Sequence, residues 1–135
     1  RPALARHRLA RILCATREAE RAPNGDLAVA FVGDRPMRRI NRDFRGIDRT
    51  TDVLSFSYID EPHAGGLLGE IFVAPSVARR QAEDAGCSIA EEVERLAVHG
   101  LLHVLGHDHD TPGTRRGMLR RQERYIKRFG EPATC

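Results

Sequence analysis

Histidines are concentrated in one short segment of this chain, and their spacing is typical of metal ligands. Four of the six histidines lie within positions 99–109, and His99 and His103 are four residues apart. On an α-helix this spacing places both side chains on the same face. Gly106 is suited to end such a helix in a left-handed turn, after which the reversed chain brings back His109 as a third imidazole. Three neutral imidazoles bind zinc or another divalent transition metal and leave one coordination position open for chemistry.

The residues around these histidines favour a metal site over ordinary buried histidines. Valine and leucine fill five of the positions from 98 to 105. The end of this helix is therefore apolar nearly all round and is predicted to be buried. An imidazole without a partner is costly in such surroundings. A structural metal or a hydrogen-bonded histidine cluster remains the alternative.

The polar neighbours of the third histidine each have two interpretations. His107 is a fourth imidazole that either competes for the metal or only packs as a ring. Asp108 and Asp110 flank His109. They either accept a hydrogen bond from an imidazole and orient it, or they simply form the turn.

Two longer patterns contain these residues and resemble a known family. The first reads H-G-x-L-H-x-x-G-x-D-H, from His99 to His109. The second reads N-x-x-F-R-G-x-x-x-x-T-D-V-L-S-F, from Asn41 to Phe56, and the segment 68–71 forms a third, weaker block. Together they resemble the YbeY-type bacterial endoribonucleases, metal-dependent proteins of rRNA maturation.

The resemblance implies a function and a set of site residues. The family's metal-binding histidines correspond to His99, His103 and His109, and its arginine implicated in nuclease activity corresponds to Arg45. The chain is thus expected to be a metal-dependent, single-strand-specific endoribonuclease of rRNA maturation, including 16S 3′ end processing, and of ribosome quality control. Its expected partners are single-stranded RNA or rRNA and the small ribosomal subunit, with no DNA and no membrane. One departure is His107, where the family usually has tyrosine.

The charge of the chain is distributed unevenly. Residues 1–50 carry a net charge of +6, residues 51–110 carry −8 and residues 111–135 carry +5. The basic ends predict a phosphate-binding face, and a solvated surface in an arginine-rich chain explains them equally well. Arg45 has the same two interpretations. A guanidinium matches phosphate oxygens in a bidentate fork, but exposed arginines are also common on any protein surface.

Composition narrows the class of protein further. The hydrophobic fraction of 41% and the charged fraction of 30% are ordinary for a globular protein, and no apolar run approaches the length of a membrane span. The first 22 residues contain no continuous apolar core, so no signal peptide is expected, and three cysteines without paired spacing favour the cytoplasm. With five phenylalanines, two tyrosines and no tryptophan, we expect no aromatic-rich surface for stacking bases.

Hydrophobic periodicity predicts the elements that must position these residues. Helices are predicted for residues 4–22, 35–44, 75–85 and 114–129. A further helix is predicted from the Ser88–Glu91 capping box to Gly106. Strands are predicted for residues 27–32, 53–58 and 67–73. This order predicts one sheet covered by helices, an α/β (α+β) fold in a single domain over residues 1–135. The resemblance implies a single mixed β-sheet of about four strands flanked by helices. The metal site would lie on a central helix and the following turn.

Two alternatives to a ribonuclease start from the same residues. A histidine pair on a helix is similar to the H-E-x-x-H motif of zinc metallopeptidases. Gly100 stands where that motif has its catalytic glutamate, so a peptidase would lack its general base. The other alternative is a non-enzymatic, ribosome-associated module with a structural metal.

Overall fold

The elements of the structure, a computed structural model, follow one another in the order predicted from the sequence. The structure describes residues 2–61, 65–107 and 112–130. Its elements are α1 (Pro2–Ala19), β1 (Asp26–Phe31), α2 (Asp34–Arg45), β2 (Val53–Ser57), β3 (Leu67–Val73), α3 (Pro75–Ala85), α4 (Ile89–Val104) and α5 (Pro112–Phe129). None of the helices in these ranges combines the length and the apolar character needed to cross a membrane.

The strands form one mixed sheet in the order β1-β3-β2. β2 and β3 are consecutive in the chain and pair antiparallel, whereas β1 and β3 are separated by α2 and β2 and pair in parallel. The mixed character of the sheet is therefore confirmed. The described residues form three strands and not the four expected, because the other apolar segments in these ranges have helical periodicity and form helices.

Helix α4 lies at the centre of the fold. It packs against α1, α3, α5, β2 and β3, and the valines and leucines of its second half are buried. Two glycines allow the helix and the sheet to meet closely. A Cβ atom at Gly69 would lie 2.6 Å from Val104 Cγ1, and one at Gly100 would lie 2.8 Å from Ile71 Cγ2. Since real Cβ atoms do not approach so closely, both positions depend on glycine for this packing.

Local sequence sets both ends of α4. Ser88 is the N-cap, and its Oγ accepts a hydrogen bond from the backbone N–H of Glu91 at 3.0 Å, as the capping box predicted. At the other end Gly106 has a φ of +101°. The backbone N–H groups of Gly106 and His107 donate to carbonyls in the last turn of the helix, which closes a Schellman motif. The chain therefore turns where the sequence predicted, after the two helix histidines.

Candidate active site

A cavity of about 550 Å³ lies between β2, α4 and α5. The end of α2 contributes Arg45 to its lining, and α4 contributes His99 and His103. Arg45 and the two histidines belong to different helices and are far apart in the sequence. The fold thus brings together the arginine and two of the three histidines that the sequence singled out.

Of the three predicted metal ligands, His99 and His103 lie in the described part of the chain and form the pair that their spacing predicts. The ring centroids of His99 and His103 are 4.9 Å apart, and the ring planes are inclined by 65°. His109, Asp108 and Asp110 lie outside the described residues. Within the described ranges, no group of three histidine, cysteine, aspartate or glutamate side chains is arranged to hold a metal ion. This part of the chain therefore contains two of the three predicted ligands.

Gln122 of α5 fixes the tautomer of His99. The amide Nε2 of Gln122 donates a hydrogen bond to Glu123 Oε2 at 3.0 Å, which leaves the amide oxygen for the histidine. That oxygen lies 2.7 Å from His99 Nδ1 and can only accept a hydrogen bond, so Nδ1 carries the proton. A neutral imidazole with this tautomer presents the lone pair of Nε2, which is the form that a metal ligand needs.

An ion pair behind Gln122 keeps Glu123 in its acceptor form. Arg95 of α4 donates to Glu123 from Nε at 2.8 Å and from Nη2 at 3.1 Å, and it also pairs with two carboxylates of its own helix. Burial raises the pKa of Glu123, but the hydrogen bonds from Arg95 and Gln122 outweigh burial and hold the pKa below its usual value. The ionised carboxylate of Glu123 can only accept hydrogen bonds, so the Nε2 group of the Gln122 amide must face it. The amide oxygen of Gln122 is therefore turned toward His99.

Arg45 is the last residue of α2, and the backbone that follows it is held in two ways. Gly46 adopts the left-handed conformation, with a φ of +73°, and ends the helix. The buried Asn41 donates from Nδ2 to the carbonyl of Arg49 at 2.9 Å and ties the loop back to the helix. The Arg45 guanidinium makes no hydrogen bond or ion pair with any residue that the structure describes. Its donors are therefore available at the cavity.

His107 is bound by Glu20, at the end of α1. The distance from His107 Nε2 to Glu20 Oε1 is 2.7 Å, and Glu20 Oε2 accepts from Arg121 at 2.8 Å and from the hydroxyl of Tyr125. The Glu20 side chain is only 7% exposed. Burial raises its pKa, but hydrogen bonds from its three partners outweigh burial and lower the pKa. This cluster ties α1 and α5 to the turn that leads into His109.

Replacement of Glu20 by glutamine is expected to lower the free energy of unfolding by about 1–3 kcal/mol at neutral pH, because three donors lose a charged acceptor. Folding lowers the pKa of Glu20, so the carboxylate stabilises the fold above its unfolded pKa of 4.5, and this contribution is lost as the pH falls through the folded pKa. Denaturant unfolding at pH 7 and well below pH 4.5 measures the difference in the free energy of unfolding between the wild type and Glu20→Gln. This difference should become smaller at the lower pH. The exposed Glu18, two residues earlier in the chain, provides the control, Glu18→Gln. A difference that does not depend on pH would contradict the role of the charge.

Comparison with known proteins decides the family. The family model described as Endoribonuclease YbeY matches residues 3–130. The chain belongs to the YbeY endoribonuclease family. The Endoribonuclease YbeY of Brevibacillus brevis is 40% identical over 120 residues, which cover 78% of this chain and 76% of that protein. The Endoribonuclease YbeY of Thermus thermophilus is 42% identical over 121 residues, covering 88% of this chain and 87% of that protein.

One solved structure has a similar fold. The solution structure of TM1509 from Thermotoga maritima has a TM-score of 0.65 and 26% sequence identity, and the match covers 93% of this chain and 81% of that chain. The resemblance drawn from the sequence is therefore confirmed at the level of the family. As a YbeY family member the chain is an endoribonuclease, a hydrolase that acts on RNA, and the family is generally metal-dependent.

The peptidase alternative is not favoured by these comparisons, and the packing gives a physical reason against it. A peptidase of the H-E-x-x-H type needs a glutamate at the position of Gly100. The space beside Gly100 is filled by Ile71 of β3, only 2.8 Å from where a Cβ atom would lie. In a YbeY fold packed in this way, α4 has no room for that side chain.

Proposed function

We propose that this YbeY protein cleaves single-stranded RNA in rRNA precursors, including the 3′ end of 16S rRNA, with zinc or another divalent transition metal held by His99, His103 and His109. It acts in the cytoplasm on the small ribosomal subunit and in ribosome quality control, and residues 1–135 form one catalytic domain. One observation carries the proposal: Arg45 and two histidines of the predicted metal site line the same cavity. A metal and a guanidinium that reach the same phosphate can together stabilise the negative charge that develops when a phosphodiester is cleaved.

The described donors suit a transition metal. His99 holds its proton on Nδ1, toward Gln122, so Nε2 is free of that proton and can coordinate. His103 lies one helical turn further along, and the turn at Gly106 leads the chain into His109. Imidazole donors suit zinc, and three of them leave a position for water or a phosphate oxygen. When bound, such a metal polarises a phosphate oxygen and lowers the pKa of a bound water toward ~7.

Arg45 is the arginine of the cavity that can bind phosphate. Arg95 also lines the cavity, but its guanidinium forms ion pairs with Glu123 and with two carboxylates of α4. Arg45 has no such partner among the described residues, and Asn41 holds the loop behind it. In the proposal its planar fork binds two oxygens of one phosphate and stabilises the negative charge that builds up as the RNA is cleaved.

The surface of α2 supports a polyanionic substrate. Five arginines of this helix are exposed: Arg35, Arg38, Arg39, Arg42 and Arg45. Two of them are paired with aspartates of the same region, Asp48 and Asp43. The remaining positive charge lies at the cavity mouth and along the helix, where it attracts phosphates without reading sequence. We therefore expect binding that weakens steeply with salt.

Cleavage of single-stranded RNA by the purified chain, with and without a chelator, tests the proposed function. Metal removal should abolish cleavage, zinc should restore it, and a duplex of the same sequence should be cleaved far more slowly. Unchanged cleavage after the metal has been shown to be gone would contradict the role of the metal. RNA binding without cleavage by the metal-loaded protein would support the non-enzymatic module instead.

A further inference from the structure

Phe44 is a large aromatic side chain that is exposed on α2. It continues the stripe of α2 that carries Met37 and Asn41, and these two residues are 0% and 3% exposed. Phe44 itself is 71% exposed, the highest value for any large hydrophobic residue in the described ranges. A single exposed apolar residue is common on protein surfaces and carries no meaning alone. The surroundings of this ring are what distinguish it.

The Phe44 ring packs against a residue that lines the cavity. Its centroid lies 5.3 Å from that of Phe56 in an edge-on contact, and Phe56 is one of the cavity-lining residues. Phe56 in turn meets Phe72 at 5.9 Å, again edge-on. The contact with Phe56 supports one edge of the Phe44 ring, while most of the ring surface stays open to solvent. The result is an exposed aromatic surface next to a residue that lines the cavity.

Phe44 is also the immediate neighbour of the phosphate-binding candidate. Arg45 follows it directly, and both residues precede the left-handed turn at Gly46 that ends α2. In a single strand, the base attached to a bound phosphate lies within one nucleotide of it. A strand whose phosphate contacts Arg45 therefore brings a base to the neighbourhood of Phe44.

We infer that Phe44 is a stacking platform for one base of the RNA, next to the phosphate that Arg45 binds. The inference rests on the proposed function and adds a residue that positions the substrate. Aromatic rings stack with any base, so the platform gives little sequence preference. It does select against a duplex, because a paired base must leave its own stack to reach a protein ring. The composition suggested no aromatic-rich surface, but one ring is sufficient for one base.

Binding of a single-stranded RNA that contains 2-aminopurine, whose fluorescence reports stacking, tests the platform. With the metal-loaded full chain, Phe44→Ala and Phe44→Leu should each weaken binding by about 5- to 100-fold, the range that one stacked base contributes. Phe44→Tyr should bind like the wild type, because it keeps the ring. Phe31→Ala, which removes another exposed phenylalanine on the far strand β1, should have no effect. The melting temperatures should agree among these variants of Phe44.

A series of RNAs with one abasic nucleotide, moved step by step past the cleavage site, locates the base. At one position, loss of the base should remove the difference between the wild type and Phe44→Ala, because neither protein then has a base to stack. If Phe44→Ala binds and cleaves RNA like the wild type, the platform is wrong although the proposed function stands. If the difference persists with every abasic RNA, Phe44 acts through the protein structure and the inference is also overturned. A wild-type protein that neither binds nor cleaves RNA would overturn the proposed function itself.

Discussion

Replacement of Arg45 by alanine is expected to slow the cleavage of single-stranded RNA by about 10²- to 10³-fold, the loss typical of removing one preorganised donor to developing negative charge. The metal content and the melting temperature should remain those of the wild type, because the guanidinium makes no hydrogen bond or ion pair with a described residue. The rate is measured at saturating zinc and fixed salt, since phosphate contacts make every RNA-binding step depend on ionic strength.

Two further variants separate a specific contact from general charge. Arg45→Lys keeps the charge but lacks the planar fork, so it should recover only a small part of the lost rate. Arg39→Ala removes an exposed arginine from the same helix at a position that does not line the cavity. This control should weaken RNA binding slightly and leave the rate at saturating RNA unchanged.

The comparison between these variants decides the role of Arg45. A catalytic role predicts that Arg45→Ala loses far more rate than Arg39→Ala at saturating RNA. Equal effects would mean that Arg45 contributes only to the electrostatic attraction of the substrate. Cleavage by Arg45→Ala at the wild-type rate, under the same salt and metal, would show that the arginine has no role in the reaction.

The elements of this fold were predictable because local chemistry specifies them. The helices end at glycines with a positive φ, such as Gly46 and Gly86, and Ser88 caps α4 as its capping box predicted. The number of strands was not predicted correctly. The expected fourth strand came from the family resemblance, whereas the described residues have only three segments with a strand pattern, and all three are paired.

Side chains that act across elements were harder to predict than the elements themselves. Nothing in the sequence pointed to the contact between Gln122 and His99, because that contact joins two helices. The same holds for Glu20, which binds His107 from a position 87 residues away. The exposure of Phe44 was equally hard to predict. At helical spacing it follows the buried Met37 and Asn41, yet it is 71% exposed.

The histidines at and near the proposed metal site differ in the contacts that they make. Gln122 orients His99, and the ring of His103 faces that of His99 across one helical turn. His107 forms a hydrogen bond with Glu20 instead. His107 is also absent from the lining of the cavity. The sequence left open whether His107 competes for the metal or only packs as a ring. Metal binding by four variants can decide between these two roles.

Replacement of His103 by alanine is expected to reduce the bound metal from about one ion per chain to a trace, because two imidazoles hold zinc far more weakly than three. His99→Ala should do the same. His107→Ala should keep the full ion, and Gln122→Leu should lower the affinity by about 10- to 100-fold, as loss of an orienting hydrogen bond usually does. Elemental analysis after dialysis measures the content, and competition with a chelator measures the affinity.

Metal binding should also stabilise the fold, since two of the proposed ligands, His99 and His103, are on a helix packed into the core. By mass action, a metal at about 100 times its Kd adds about 2.7 kcal/mol to the free energy of unfolding, so chelation should lower the melting temperature of the wild type by several degrees. The His103→Ala protein has little metal to lose, and its melting temperature should not respond to the chelator. Full metal in both His99→Ala and His103→Ala would contradict this site. Loss of the ion from His107→Ala would instead show that the third ligand is His107 and not His109.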